Sequence, residues 1–107
     1  MANAKIQQAA NKKNYKKLEK FAQGRDMALR LEAIEAMGQF NSEEGFNYLT
    51  LMFRNEDAQV RGAAATGLGI MQNPKARAFI EHQLSQESDA SAAQKMKDAL
   101  AQLKNER

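Results

Sequence analysis

Cysteine is absent from this sequence, and with it go disulfides, thiolate metal sites, thiol nucleophiles and redox motifs. Tryptophan is absent too, and aromatic residues make up only 7%. There is a single proline, Pro74. Strands favour β-branched and aromatic side chains, so their scarcity beside plentiful Ala, Gln, Lys, Glu and Met selects helices. One histidine, His82, excludes His-rich metal centres and leaves a catalytic triad one candidate base. No apolar run approaches the roughly 20 residues of a membrane span, so no membrane association is expected. The opening stretch MANAKIQQAANKKN lacks an apolar h-region; a secretory signal is not expected, and a cytoplasmic location is. These absences remove more chemistry than the remaining residues suggest.

What is present fits one soluble domain. The chain has 107 residues, 43% hydrophobic and 27% charged. Its net charge of +3 is unevenly placed. Residues 1–25 hold seven basic groups against one acid, Glu19, whereas residues 26–107 hold nine basic and twelve acidic groups. The N-terminal quarter is strongly basic and the rest is mildly acidic.

Internal repetition decides the architecture. The segment DMALRLEAIEAMG (26–38) recurs as DAQVRGAAATGLG (57–69), a shift of 31 residues. Asp26 falls on Asp57, Arg30 on Arg61, Ala33 on Ala64 and Gly38 on Gly69, and Leu29/Val60 and Met37/Leu68 keep apolar character. A weaker third copy begins at Asp89, with Ala92, Met96, Ala99 and Leu100 on its apolar face. Shifting backwards, Leu18 falls on Leu49 and Phe21 on Met52.

Each period holds two helical patterns. Residues 29, 33, 34 and 37 form one helical stripe, and Asp26, Asp57 and Asp89 stand where N-caps belong. Gly45, Tyr48, Leu49, Met52 and Phe53 form the second stripe, repeated by Ala76, Phe79, Ile80 and Leu84. Short loops join the two, FNSE (40–43) and QNP (72–74), with Asn73 as cap and Pro74 at the first helical position. The pattern predicts seven helices over about 2–9, 13–23, 27–39, 43–54, 58–71, 74–86 and 90–103. They divide into a truncated, lysine-rich N-terminal repeat (1–25), two full repeats (26–56 and 57–88) and a C-terminal capping helix (89–107).

These residues resemble HEAT repeats, particularly the short bacterial type first noticed in phycobilisome-lyase subunits. Such repeats open with Asp-x-x-Val-Arg, continue with small residues and end near Leu-Gly; DAQVRGAAATGLG carries the whole pattern. DMALRLEAIEAMG carries it with Leu and Met substitutions, and the third copy has Ala93 in place of the Arg. The resemblance implies an all-α, right-handed superhelical solenoid of about three and a half helical hairpins, its second helices lining a concave face.

Several residues invite a chemical reading. Arg30 and Arg61 could bind an anion, but recurrence in register with the repeat favours a stacking role, bonding a capping Asp or helix-end carbonyls. Gly67-Leu68-Gly69 looks like a phosphate loop only out of context, because it lies late in a helix; close helix approach is the better reason for it. Glu81-His82 reverses the His-Glu pairs with which iron-dependent deoxyhypusine hydroxylases, a HEAT enzyme class, hold two metals, so a surface histidine is expected. Glu32 and Glu35 read as solvated. No catalytic residue, metal ligand or cofactor is expected.

Column arithmetic marks a more promising surface. If residues 45, 48, 49, 52 and 53 point inward, then Asn47, Leu51 and Arg54 point out, in rows with Lys16 and Lys20 before them and Ala78, His82 and Ser85 after them. Leu51 stands apolar among polar neighbours, which suits a partner anchor. The expected function is a non-enzymatic adaptor binding a protein or peptide along this groove. The alternatives are weak nucleic-acid binding through the Lys12–Lys20 helix and a role as accessory subunit of a lyase-like enzyme.

Overall fold

A computed structural model describes residues 3–103, and among them it places seven α-helices and no strand. They are α1 (Ala4–Asn11), α2 (Tyr15–Ala22), α3 (Met27–Ala36), α4 (Glu43–Leu51), α5 (Ala58–Met71), α6 (Ala76–Gln86) and α7 (Ala90–Gln102). Short 3₁₀ turns, Met37–Gln39 and Met52–Arg54, prolong α3 and α4. The expected start of the first helix at residue 2 lies outside the described residues.

Local chemistry sets these boundaries. The Asp26, Asp57 and Asp89 carboxylates accept from the backbone N–H groups of Leu29, Gln59 and Ala92 at 3.3, 2.8 and 2.9 Å. Asn14 caps α2 by accepting from Lys17 N–H, and Ser42 caps α4 by accepting from Gly45 N–H. Three starts differ from expectation, the first because Asn3 caps α1 by accepting from the Lys5 and Ile6 N–H groups, so that helix begins at Ala4. Lys13 stays out of α2 because the chain turns there with φ at 56°, ahead of the Asn14 cap. Pro74 lies in a turn before α6, where the Ala76 and Arg77 N–H groups donate only three residues back, to the Asn73 and Pro74 carbonyls, so the α-helix begins at Ala76.

The helices form two layers. In the first, α1 packs on α3, and α5 lies between α3 and α7. The second comprises α2, α4 and α6, which rest on α3, α5 and α7 respectively. Ile6, Leu18, Ile34, Leu49, Val60, Leu68, Ile80 and Met96 are buried between them as one core. No helix among the described residues is long and apolar enough to cross a membrane. The Cα radius of gyration, 12.7 Å, matches the ~13 Å of a globular domain of this length, so the array is too short to extend like a long solenoid.

The two layers are knit differently. Small residues join the first: a Cβ on Gly67 would meet the Ile34 carbonyl oxygen at 3.0 Å, and one on Gly69 would meet the Ala99 Cα at 3.1 Å. Gly67-Leu68-Gly69 thus lets α5 seat against a helix on each flank. Ring pairs join the second layer edge to face, Tyr15–Tyr48 at 6.4 Å and Phe46–Phe79 at 5.7 Å.

The repeated arginines tie hairpins together through groups other than the capping aspartates. Arg30 Nε donates to the Ala22 carbonyl at the end of α2, 3.1 Å away. Arg61 donates to the Asn55 and Glu56 carbonyls and forks onto both carboxylate oxygens of Glu87 at 2.7 Å. The direct bond to Glu87 raises the affinity of Arg61 for its proton most, and Asp89 and Asp57 add to this only through space.

Candidate functional site

The outer surface of the second layer gathers the residues that the column arithmetic marks. Lys16 and Lys20 on α2, Asn47 and Leu51 on α4, Arg54 in the following turn, and Ala78, His82 and Ser85 on α6 are all exposed. Leu51 keeps 52% of its surface in contact with solvent, while Leu49, two positions back, is fully buried. Helix geometry explains the contrast, since two residues turn a side chain by about 200°.

Phe79 departs from expectation. The spacing puts it in the buried stripe, yet it is 47% exposed and leans edge-on against Phe46, which takes the buried place instead. One edge of the Phe79 ring rests on α4 through Phe46, and the rest of the side chain faces solvent. Leu51 and Phe79 therefore stand as two large apolar side chains on adjoining helices of one layer. A depression of about 410 Å³ lies at the start of α4 and ahead of α6, lined by Asn41, Ser42, Glu43, Phe46, Asn47, Asn73 and Lys75, with neither Leu51 nor Phe79 on its wall.

Charge on this surface is mostly basic at the α2 end. Lys12, Lys13, Lys16, Lys17 and Lys20 are all exposed, and Arg61–Glu87 is the one ion pair within 4.0 Å among the described residues. Between α2 and α4, the Tyr15 hydroxyl donates to Glu19 at 3.3 Å, and burial together with that carboxylate pushes the phenol up to about 12. Burial also pushes Tyr48 up, so both rings stay neutral at physiological pH.

Groups that could do acid–base work are not assembled on this face. Ser85 Oγ donates to the His82 backbone carbonyl at 2.6 Å, which engages the hydroxyl away from the imidazole. Among the described residues no three His, Asp or Glu side chains converge as a metal site would need. A larger depression of about 460 Å³ opens on the first layer over Gly62, Ala63 and Ala92. Glu35 on its wall is half-buried rather than solvated; burial pushes its carboxyl up, against the pull of the Lys95 ammonium.

The family model for HEAT repeats matches residues 15–104. The chain belongs to the HEAT-repeat family. No curated protein and no solved structure matches it significantly. HEAT repeats commonly mediate protein–protein interaction, and the all-helical array of hairpins is the fold the family requires. The HEAT match opens at Tyr15, the first residue of α2, so α1 packs onto the matched array from outside it.

Sequence reasoning misses Gln83 and Glu87. Gln83 is a buried polar residue whose amide donates to Glu87 at 3.0 Å, holding the carboxylate on Arg61. Gln83 and Glu87 are neighbours one helical turn apart, but nothing local signals Arg61, which meets them only when α6 returns beside α5.

Proposed function

We propose that this HEAT-repeat chain is a non-enzymatic adaptor that binds a protein or peptide segment along the outer surface of α2, α4 and α6. The observation that carries the reading is Leu51, a large apolar side chain 52% exposed at the C-terminal end of α4, the middle helix of the second layer. Exposed apolar side chains ringed by polar ones suit partner anchors, which cluster near the centre of an interface. Phe79 supports it as a second anchor one helix away, with Asn47, Arg54, His82 and Ser85 as the polar rim.

Affinity capture from the native lysate tests this with three baits: the wild-type chain, Leu51→Asp, and Gln59→Arg on the exposed first-layer surface. Quantitative mass spectrometry should find proteins held by the wild type and by Gln59→Arg but lost with Leu51→Asp. Equal recovery by wild type and Leu51→Asp would refute the assignment.

A further inference from the structure

We infer that the segment docked on this surface is acidic and carries one large apolar side chain, its carboxylates over Lys16 and Lys20 and its apolar group on Leu51. This rests on the binding reading above and names the partner's chemistry. Residues 1–25 hold seven basic groups against one acid, and that acid, Glu19, is half-buried and takes the Tyr15 hydroxyl. The five lysines from Lys12 to Lys20 are exposed, and none has a carboxylate within ion-pair distance among the described residues. Like charges so concentrated repel one another, and a ligand of opposite charge relieves that repulsion.

Lys16 and Lys20 lie one helical turn apart, about 6 Å along the axis of α2, a separation that successive carboxylates on a helical or an extended segment can match. The Tyr15–Tyr48 contact joins α2 directly to α4, so the lysine line and Leu51 occupy neighbouring helices of one layer. Glu44 lines the same 380 Å³ depression as Lys13 and Lys16, so the acidic run is held best from Lys16 toward Lys20, away from that depression.

The same pattern works against a nucleic acid. A phosphate backbone carries a charge at every step and would meet Glu43, Glu44 and Glu81, all exposed on this layer, whereas a peptide can place acidic residues selectively. No arginine belongs to the lysine cluster, and its one aromatic, Tyr15, is packed against Tyr48 rather than free to stack on bases.

Fluorescence anisotropy with the full chain tests the inference using four labelled probes. These are a Glu-rich peptide with one central Leu, the same peptide with that Leu replaced by Ala, a Gln-for-Glu version retaining Leu, and a single-stranded oligodeoxynucleotide. The Glu/Leu peptide should bind best and weaken as salt rises from about 50 to about 150 mM. Lys16→Glu with Lys20→Glu should weaken it roughly tenfold or more. Leu51→Ala should weaken the Leu peptide by about three- to tenfold and leave the Ala peptide unchanged.

No binding of the Glu/Leu peptide overturns the inference. If the Gln peptide binds equally well and still depends on Leu51, the acidic chemistry is wrong while the second-layer surface stands. Tighter binding of the oligonucleotide, lost on lysine reversal, assigns the patch to nucleic acid. Peptide binding indifferent to every one of these variants overturns both the inference and the surface.

Discussion

The glycines Gly38 and Gly67 meet so closely that a Cβ on Gly38 would stand 2.1 Å from the Gly67 carbonyl oxygen. The obstacle is backbone, which cannot swing aside as a side-chain tip does. Gly38→Ala must push α5 away from the end of α3, and overpacking of this kind costs about 1–3 kcal/mol or more. Gly24 makes a control, because its Cβ would meet nothing closer than 3.4 Å. Gly24→Ala should change stability by less than about 1 kcal/mol. Urea unfolding of both variants checks this, and equal losses would contradict the close helix contact.

Glu87 links stability to pH. In the folded chain Arg61 holds its carboxyl at about 2, against an ordinary 4.5. A lowered folded-state value stabilises the fold above pH ~4.5, and that contribution fades as pH falls from there toward 2. Its upper bound is about 3 kcal/mol, reduced by the water that reaches Arg61, whose side chain is 16% exposed. Glu87→Gln should therefore lose about 1–3 kcal/mol at neutral pH, with the deficit shrinking as pH approaches 2. A deficit that stays constant down to that pH would contradict the pairing.

Lys13 and Gln72 both adopt the left-handed backbone region, with φ at 56° and 61°, where L side chains are strained. Their side chains differ in consequence. Lys13 is exposed, so Lys13→Gly should stabilise by about 0.5–1 kcal/mol. Gln72 donates to the Gly69 and Gln102 carbonyls, both at 2.8 Å, and Gln72→Gly gives up those bonds as it relieves the backbone. It should bring no gain. Denaturation midpoints compare the two, and a larger gain at Gln72 would contradict the account.

Helix positions were legible because the signals that set them are local. Asp26, Asp57 and Asp89 lie within three residues of the N–H groups they cap, and the buried stripe of α4 repeats on a helical period. The outward column through Leu51 was legible for the same reason, being the complement of that stripe. Phe79 was misread because periodicity marks which residues share a face but not how far a neighbouring helix covers it. Glu87 was out of reach because its partner Arg61 is 26 residues away in sequence, and only the packing of α6 beside α5 brings them together.

Leu51 and Leu49 separate surface from core in one helix. Leu49→Ala empties a fully buried site and should cost about 2–5 kcal/mol. Leu51→Ala, at a position 52% exposed, should cost less than about 1 kcal/mol. Thermal melts of the two variants decide it, and matching losses would make Leu51 a core residue and remove it as an anchor.

Binding along the second layer is tested most directly by amide spectra of the isotope-labelled chain, titrated with a protein segment recovered by capture. Shifts should concentrate at Lys16, Lys20, Asn47, Leu51, Arg54 and His82, with the outer surface of α3, α5 and α7 unperturbed. Shifts centred instead on Glu35, Gly62 and Lys95, around the first-layer depression, would place the interface on the opposite face and contradict binding along the second layer.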